Sequence, residues 1–456
     1  MSTSYRLERA WVDGAVHNDV LVEIEDGRFT RVEVRGRVDD FVRNGSVTNP
    51  LVPRSSGETT RLPGLTLPGL ANTHSHAFHR ALRGRTQRGR GTFWTWREQM
   101  YAVAERLDPD SYHRLARATY REMVAAGMTS VGEFHYLHHQ PDGTPYADPH
   151  AMSHALVEAA AEAGIRLTLL DTCYLSSGFG DPPEGVQRRF SDGDVDAWAD
   201  RAGCFAPRDA KLGAAIHSVR AVPAEAMPTV ADWAAGRPLH VHVSEQVAEN
   251  QSCVAEYART PVEVLLDHGV LGPLTTAVHA THLTDDDIAH LADTATYAGF
   301  CPITERDLGD GIGPGSQLHD AGVRLTLGSD NHAVIDPFEE MRALELDERL
   351  ATQKRGHWAA ADLLDVGTRH GHASLGWDDA GEIAVGRRAD LVTIDTTSPS
   401  TAGTGADAHT AVFAATTADV IQVVVDGRVV VRQGDAVQTR DEIGRELDAT
   451  IGRLWQ

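Results

Sequence analysis

Residues 68–76 have the sequence PGLANTHSH, in which a short apolar run leads into two histidines one residue apart. Because side chains at positions i and i+2 of a strand lie on the same face, His74 and His76 can reach one metal ion. At the carboxyl end of a barrel strand, both imidazoles would line the mouth where such barrels build their active sites. Two histidines in a solvated loop give the same pattern, so the rest of the chain has to distinguish the two interpretations.

The middle of the chain alternates short apolar runs with helical stretches, which indicates parallel strands joined by helices. One of these helices is well marked, because Asp108 can cap it, Pro109 suits its first turn and Gly127 follows its end. Eight strands over roughly 300 residues predict a (β/α)8 barrel, with a doubly wound open sheet as the alternative. The predicted strands are residues 65–67, 130–133, 166–170, 212–216, 239–243, 276–279, 297–301 and 324–327.

Both ends of the chain have the alternating pattern of short antiparallel strands. An Asp-Gly pair at residues 26–27 separates two such runs, and another pair at residues 426–427 separates two more, as in β-hairpins. The predicted fold class is therefore α/β. It consists of a TIM-like (β/α)8 barrel over residues 65–375 and a small β-sandwich domain built from both termini, residues 1–64 and 376–456.

The composition restricts the classes of partner. The 456 residues carry a formal net charge of −23, which disfavours binding to nucleic acid and to anionic membranes. The four cysteines are far apart and include no CxxC pair, which is typical of a reducing compartment. The amino-terminal sequence has no signal-peptide core, and no run of about 18 apolar residues occurs. We therefore expect a cytoplasmic protein that acts on a small molecule.

Three further apolar strands end in residues that bind metals or move protons. His242 lies at the end of the fifth predicted strand, His279 ends the sixth, and Asp330 follows the eighth. With the His-x-His pair they offer imidazoles and one carboxylate, a ligand set that suits Zn²⁺, although iron or manganese can occupy similar sites. Glu245 follows His242 by three residues, where a carboxylate outside the ligand set can relay protons. The alternative is a helix-start carboxylate favoured by the helix dipole.

This pattern resembles the amidohydrolase superfamily, and the resemblance covers nearly the full length of the chain. Many members of the superfamily hold two metal ions bridged by a carboxylated lysine on the fourth strand. Only Lys211 lies near that strand here, and it precedes the apolar run at residues 212–216, which places it at the opposite end of the barrel. We therefore predict one divalent ion per subunit.

Two arginines suit a substrate that carries carboxylates. Arg97 lies in a segment rich in arginine and aromatic residues after the His-x-His pair, and Arg220 follows the fourth strand. Because a guanidinium binds a carboxylate through two parallel hydrogen bonds, the pair can hold a dicarboxylate. Tyr136 and His217 follow the second and fourth strands and can add hydrogen bonds. The alternative is that most arginines of the segment are solvated loop residues.

Several short motifs make the resemblance narrower. The motifs FWTWRE, EFHYLHH, HSVRAV, HVSEQ, HATH, LGDG and GSD look like the formimidoylglutamate deiminase family. That family hydrolyses N-formimino-L-glutamate to N-formyl-L-glutamate and ammonia in histidine degradation, and the resemblance implies a homodimer. It places zinc on His74, His76, His242 and Asp330, and substrate contacts on His79, Arg97, Tyr136, His217 and Arg220.

Two positions depart from the family pattern. His79 stands where the family has glutamine, and Asn331 stands where it has serine. Both residues keep the capacity to form hydrogen bonds, so we expect these departures to affect individual contacts more than the reaction.

The mechanistic hypothesis assigns three residues to catalysis. The metal ion activates a water molecule, Asp330 accepts its proton as general base, and His279 orients the water and steadies the tetrahedral adduct. Glu245 relays a proton to the nitrogen that leaves as ammonia. One alternative is another deaminase of the superfamily, acting on a purine, pyrimidine or related ring. A second is an inactive barrel that serves as an assembly scaffold.

Overall fold

The computed structural model describes residues 3–35, 59–88, 91–432 and 440–456. Its strands are β1 (Thr3–Val12), β2 (Ala15–Glu25), β3 (Arg28–Val34), β4 (Thr59–Pro68), β5 (Leu70–Ser75), β6 (Met128–His135), β7 (Arg166–Cys173), β8 (Ala210–Ser218), β9 (Leu239–Val243), β10 (Thr275–His279), β11 (Tyr297–Phe300), β12 (Leu325–Leu327), β13 (Leu391–Ile394), β14 (Val420–Val425) and β15 (Arg428–Arg432).

The α-helices are α1 (Phe93–Arg106), α2 (Pro109–Ala125), α3 (Ala151–Ala163), α4 (Val195–Gly203), α5 (Met227–Trp233), α6 (Val247–Tyr257), α7 (Pro261–Asp267), α8 (Asp285–Asp293), α9 (Pro302–Leu308), α10 (Gly315–Asp320), α11 (Pro337–Thr352), α12 (Ala360–Asp365), α13 (Gly371–Ser374), α14 (Ala408–Phe413) and α15 (Arg440–Leu454). The predicted start of α2 is confirmed, because the Asp108 carboxylate accepts a hydrogen bond from the Ser111 backbone N–H at 2.7 Å.

Strands β5 to β12 form one parallel sheet in which every strand pairs with its neighbours in chain order. The first and last strands also meet, because the His74 carbonyl accepts hydrogen bonds from the backbone N–H groups of Ser329 and Asp330 at 3.1 and 3.0 Å. Ser75 and Asp330 form a parallel bridge at the same place. The predicted (β/α)8 barrel is thus confirmed over the doubly wound open sheet.

The first barrel strand lies later in the chain than predicted. Residues 65–67 were expected to begin the barrel, but they belong to β4, which pairs with β1 and β13 in the other sheet. The barrel begins with β5, after Gly69. A Cβ at Gly69 would lie 2.2 Å from the Thr129 side chain, so the chain passes between the two sheets where only glycine fits. The predicted boundary at residue 65 therefore falls inside β4, and the division into two domains remains a prediction.

The strands from both termini form a seven-stranded mixed sheet in the order β15-β14-β13-β4-β1-β2-β3. Both predicted hairpins are present, β2–β3 and β14–β15. Asp26 and Gly27 have φ of 50° and 77°, and Asp426 and Gly427 have φ of 47° and 75°. Left-handed conformations at both positions match the right-handed twist of the flanking strands, which is why Asp-Gly predicts this turn.

The barrel and the terminal sheet each have a buried apolar core. The larger core includes Val131 of β6 and Tyr120 of α2 and continues into the terminal sheet through Leu67 of β4. A second core, which includes Leu7 and Val22, lies within the terminal sheet. Within the described part of the chain, no helix has both the length and the apolar character needed to span a lipid bilayer.

Candidate active site

Four buried side chains converge at the carboxyl ends of the barrel strands. His74 lies near the end of β5 and His76 follows it directly. His242 lies near the end of β9, and Asp330 follows β12. One ligand atom from each lies within 4.8 Å of the others. The period of two along β5 turns both histidines to the same face. The fold therefore brings together the four residues that the sequence predicts as metal ligands, although they are up to 256 positions apart in the chain (330 − 74).

The spacing of these atoms fits one divalent ion. His74 Nε2 lies 3.0 Å from His242 Nε2 and 3.3 Å from Asp330 Oδ1, and His76 Nε2 lies 3.4 Å from Asp330 Oδ1. Four ligands at about 2.0–2.1 Å from one ion in a tetrahedron lie roughly 3.3 Å from one another. Three imidazoles and one carboxylate are therefore placed where a single ion can contact all of them.

Backbone carbonyls orient two of the imidazoles. His76 Nδ1 donates a hydrogen bond to the Phe134 carbonyl at 3.0 Å, and His242 Nδ1 donates one to the His217 carbonyl at 2.9 Å. This arrangement leaves the Nε2 lone pair of each ring free to bind a metal. Burial, reinforced by the neighbouring His74, lowers the pKa of His76 to about 3, so the ring is in the neutral form that coordinates metals.

The turn that presents Asp330 is strained and electrostatically favourable. Asp330 has a φ of 38°, and Ser244, His279 and His332 at the same rim have φ of 53°, 69° and 57°. Left-handed backbone at residues other than glycine is costly and is concentrated at functional sites. Burial alone would raise the pKa of Asp330, but a hydrogen bond from His74 and the charges of nearby histidines hold it below its usual range. The carboxylate is therefore ionised.

His279 lies between two carboxylates. Its Nδ1 is 3.5 Å from Glu305 Oε1, and its Nε2 is 4.0 Å from Glu245 Oε1. Burial lowers the pKa of His279, but the charges of Glu245, Glu305 and Asp330 outweigh burial and raise it to about 10. Glu305 also accepts a hydrogen bond from the Cys301 backbone N–H at 2.8 Å, which fixes it at the start of α9. Glu305 thus holds the imidazole at Nδ1, and the Nε2 atom on the other side of the ring faces Glu245.

One cavity connects these groups with the predicted substrate contacts. It contains about 690 Å³ of empty space when its open mouth is included, a size suited to a small molecule. Glu245, His279 and Asp330 line it together with His76 and His242. The five predicted substrate contacts line it as well, namely His79, Arg97, Tyr136, His217 and Arg220.

The cavity wall around Arg97 is supported by polar residues that the sequence did not indicate. Its Nε donates a hydrogen bond to the Tyr101 hydroxyl at 2.6 Å. The Gln187 side-chain amide then donates to the Tyr101 and Tyr174 hydroxyls at 3.1 and 2.8 Å. Tyr101 follows Arg97 by four residues on α1, and this helical spacing could have indicated it. No motif marks Tyr174 or Gln187, because they come from other segments and only the fold brings them to Tyr101.

Arg220 faces a buried carboxylate that was also missed. Its Nε lies 3.7 Å from Glu249 Oε1, and the Glu249 side chain is only 1% exposed. The other Glu249 oxygen accepts a hydrogen bond from the Glu245 backbone N–H at 3.3 Å. Glu249 lies in the first turn of α6, four residues after Glu245, and this spacing is the one signal that could have indicated it.

The histidines that line the cavity beside the arginines are neutral. His79 Nε2 lies 3.1 Å from the Tyr136 hydroxyl, and burial holds the pKa of His79 well below its usual range. Burial and the nearby Arg220 do the same for the pKa of His217. Neutral imidazoles can both donate and accept hydrogen bonds, so neither ring adds positive charge to the cavity.

Lys211 lies at the far end of the barrel from the ligand group. It is the second residue of β8, and its ammonium donates a hydrogen bond to the Gly376 carbonyl. The same ammonium lies 4.5 Å from the centre of the Trp377 ring. These contacts occupy the lysine away from the four ligands, as the order of residues along the fourth strand predicted.

Comparisons with known proteins agree with this geometry. Residues 65–430 match the amidohydrolase family. The chain is 40% identical over 394 residues to formimidoylglutamate deiminase of Pseudomonas aeruginosa, covering 82% of this chain and 86% of that protein. It is 29% identical over 414 residues to 5'-deoxyadenosine deaminase of Methanothermobacter thermautotrophicus, covering 89% of this chain and 91% of that protein.

Crystal structures of other proteins share the fold of this chain. An amidohydrolase from Brucella melitensis superposes with a TM-score of 0.87 at 32% identity and covers 100% of both chains. An adenosine deaminase from Xanthomonas campestris with bound zinc superposes with a TM-score of 0.83, covering 99% of this chain and 98% of that one. Its 21% identity supports the shared fold alone. The barrel, the ligands at the ends of its strands and these matches together show that the chain belongs to the amidohydrolase family.

Proposed function

We propose that this chain is a zinc-dependent deiminase that hydrolyses N-formimino-L-glutamate to N-formyl-L-glutamate and ammonia. The observation that carries the proposal is the position of Arg97 and Arg220 in the same cavity as Glu245, His279 and the metal-binding group. Two guanidinium groups suit the two carboxylates of a glutamate derivative. The 40% identity to formimidoylglutamate deiminase over 82% of the chain supports the same substrate.

The metal-binding group would hold one divalent ion through His74, His76, His242 and Asp330. Zinc is proposed because it favours four-coordinate sites of nitrogen and oxygen ligands, and iron or manganese are the alternatives. When bound, such an ion supplies Lewis acidity that lowers the pKa of the attacking water and stabilises negative charge in the transition state.

The reaction adds water to the formimino carbon and breaks its bond to the terminal nitrogen. Asp330, ionised in the folded protein, accepts a proton from the attacking water. His279, held at Nδ1 by Glu305, directs its Nε2 into the cavity, where it orients the water and stabilises the tetrahedral adduct. Glu245 relays the two protons of the attacking water to the departing nitrogen, the first from Asp330 and the second from the hydroxyl group of the adduct. The C–N bond then breaks, ammonia leaves and a formyl group remains.

The substrate contacts divide between charge and hydrogen bonding. Arg97 and Arg220 bind the two carboxylates, while Tyr136 and His217 contribute hydrogen bonds from the wall between them. His79 positions Tyr136, because the Tyr136 hydroxyl lies 3.1 Å from His79 Nε2. These contacts hold the formimino carbon over the catalytic groups, which converts binding energy into correct orientation.

Deamination of a ring is the second candidate function, because aromatic side chains also line the cavity. Tyr136, Tyr174 and Phe190 offer faces on which a purine or pyrimidine could stack. Ammonia release from N-formimino-L-glutamate, adenosine, 5'-deoxyadenosine, guanine and cytosine by the zinc-loaded protein separates the two functions. We expect N-formimino-L-glutamate to be preferred by at least about 100-fold in kcat/KM, since the rings lack paired carboxylates. Preference for a ring would contradict the proposal.

A variant of Glu245 tests the proposed proton relay. Glu245→Gln keeps the shape of the side chain but cannot carry the proton, so we expect kcat to fall by about 100-fold or more. Metal analysis should still find one ion per subunit, because Glu245 is outside the ligand group. Glu256→Gln, at an exposed position of α6, is the control and should retain full activity.

The same proposal extends to the setting of the enzyme. A deiminase with this substrate acts in histidine degradation, and we propose that it works as a cytoplasmic homodimer. Light scattering on the purified protein tests the dimer directly, and a mass of one subunit at working concentration would contradict it.

A further inference from the structure

Glu133, near the end of β6, is a fully buried glutamate with a specific pair of hydrogen-bond donors. Its Oε2 accepts a hydrogen bond from the Ser75 hydroxyl at 2.7 Å, and its Oε1 accepts one from the Ala77 backbone N–H at 2.7 Å. Ser75 and Ala77 are the two chain neighbours of His76. One carboxylate therefore grips the segment on both sides of a metal ligand.

The neighbouring residue of β6 holds the same ligand at a third point. The Phe134 carbonyl accepts the hydrogen bond from His76 Nδ1 at 3.0 Å. Glu133 thus determines where the backbone around His76 lies, and Phe134 determines how its ring is turned. A ligand held at its backbone and at its ring loses little freedom when it binds an ion.

The hydrogen bonds continue from Ser75 to the segment that carries Asp330. The Ser75 hydroxyl lies 3.2 Å from His332 Nε2, and His332 Nδ1 lies 2.9 Å from the Ser329 hydroxyl. The Ser329 hydroxyl in turn accepts a hydrogen bond from the Asn72 side-chain amide at 2.7 Å. The network joins the end of β5, the end of β6 and the turn after β12.

Burial makes Glu133 an unfavourable choice for packing alone. Burial raises the pKa of Glu133 to about 8, although the hydrogen bonds from Ser75 and Ala77 act in the opposite direction. An apolar side chain would fill the space without the cost of removing a carboxyl group from water. The hydrogen bonds to the two neighbours of His76 are what a carboxylate provides here and an apolar residue cannot.

We propose that Glu133 is a positioning residue for the metal centre. It holds the backbone on both sides of His76, and through Ser75 and His332 it holds the turn of Asp330, so that His76 Nε2 and Asp330 Oδ1 stay 3.4 Å apart. The inference rests on the proposed divalent ion and is independent of which substrate the enzyme accepts.

The test is the affinity of the folded protein for Zn²⁺ at pH 9, measured by competition with a chromophoric chelator. At that pH Glu133, whose pKa is raised to about 8, is ionised and both of its oxygens accept hydrogen bonds. Glu133→Gln places an amide NH₂ opposite one of the two donors, so one hydrogen bond is lost and the segment around His76 shifts. We expect the affinity for Zn²⁺ to fall by about 10- to 100-fold. Ser75→Ala removes only one donor and should lower it by a smaller factor. The affinity of the double variant for Zn²⁺ should be no lower than that of Glu133→Gln, because both substitutions act through the same contact.

Glu345 provides a matched control. It is also a fully buried glutamate, and its carboxylate accepts hydrogen bonds from the backbone N–H groups of His357 and Trp358, both at 3.1 Å. The same carboxylate also pairs with Arg349, whose Nε lies 2.6 Å from its Oε1. Glu345→Gln therefore weakens the contacts of a buried carboxylate on α11, outside the four ligands, and we expect it to lower the melting temperature without changing the affinity for Zn²⁺.

Wild-type affinity for Zn²⁺ in folded Glu133→Gln would overturn the proposal. If that variant does not fold, Ser75→Ala decides, and an unchanged affinity there overturns the proposal equally. An equal loss of affinity in Glu345→Gln would also overturn it, because the effect would then report general destabilisation. Failure of the proposed substrate is distinguishable, since it would leave Zn²⁺ binding intact and abolish only ammonia release.

Discussion

The Nδ1 atom of His279 lies 3.5 Å from Oε1 of Glu305, a carboxylate that comes from the helix after the next strand. The contact fixes the ring so that Nε2 faces the cavity and Glu245, 4.0 Å away. A histidine that must orient water and stabilise developing charge depends on such a partner, because the partner keeps the ring protonated and fixes its angle.

Replacement of Glu305 by glutamine should therefore impair catalysis without removing the metal. The amide side chain would keep an acceptor for the Cys301 backbone N–H but would lose the negative charge beside His279. We expect kcat to fall by about 100-fold, the scale of a lost acid–base contribution, with one ion still bound per subunit. Steady-state kinetics and metal analysis measure both quantities.

Glu340 supplies the control for that experiment. It is buried on α11 and accepts a hydrogen bond from the Ile303 backbone N–H at 3.1 Å, so it supports the same helix as Glu305 without contacting His279. Glu340→Gln should lower stability and leave kcat near the wild-type value. Full kcat in Glu305→Gln, or an equal loss in Glu340→Gln, would contradict the role given to Glu305.

Removal of the divalent ion should abolish activity and lower thermal stability together. An ion that binds only the folded protein stabilises it by mass action, by about 2.7 kcal/mol at a free concentration of 100 times its Kd. We expect the chelator-treated protein to release no ammonia, to melt at a lower temperature and to recover both properties with Zn²⁺. In Asp330→Asn the added ion should no longer raise the melting temperature, and an undiminished shift would contradict its place among the ligands.

The metal-binding group could be predicted because its signals are local. The period of two along a strand places His74 and His76 on one face, and the parallel barrel brings all strand ends to one rim. His242, His279 and Asp330 then follow as candidates from apolar runs that end in them, and the family resemblance assigned His242, and not His279, to the ligand group. The first strand was assigned too early because β4 and β5 are both apolar and only Gly69 separates their pairing partners.

The residues around the ligands could not be predicted in the same way. Glu305, Gln187 and Tyr174 belong to helices or to the turns between elements, and each reaches its partner across the fold. Their sequence surroundings resemble ordinary helical segments, because a contact between distant segments leaves no period along the chain. Glu133 was noted within a motif, but its hydrogen bonds to Ser75 and Ala77 depend on the register between β5 and β6.

A variant of Arg220 tests how the cavity selects a dicarboxylate. Arg220→Met keeps an unbranched apolar stem in place of the inner part of the side chain and removes its charge, so one substrate carboxylate would lose its partner. We expect kcat/KM for N-formimino-L-glutamate to fall by about 100-fold or more. The loss should be much smaller for an analogue that lacks one carboxylate. Arg445→Met, at an exposed position of α15, is the control, and equal losses with both substrates would contradict the assignment.

Arg201 forms the centre of a buried ion-pair group beside β7. Its Nη2 lies 2.8 Å from Asp171 Oδ1 and its Nε lies 2.7 Å from Asp192 Oδ1, and all three side chains are at most 7% exposed. Burial raises the pKa of both aspartates, but hydrogen bonds and charge from Arg201 and nearby histidines outweigh it and hold each below its usual range. A depressed pKa contributes stability above the unfolded value of about 3.9, and that stability is lost as the pH falls below it.

Replacement of Arg201 by glutamine leaves two buried carboxylates without their cation. We expect the free energy of unfolding at pH 7 to fall by about 3–5 kcal/mol. Without the cation the pKa of both aspartates rises in the folded state, so protonation relieves the variant as the pH falls toward 4, while the wild-type carboxylates stay ionised and paired with Arg201. The difference between the two proteins should therefore shrink from pH 7 toward about pH 4. Urea unfolding at both pH values measures it, and a constant difference would show that Arg201 acts through packing instead of charge.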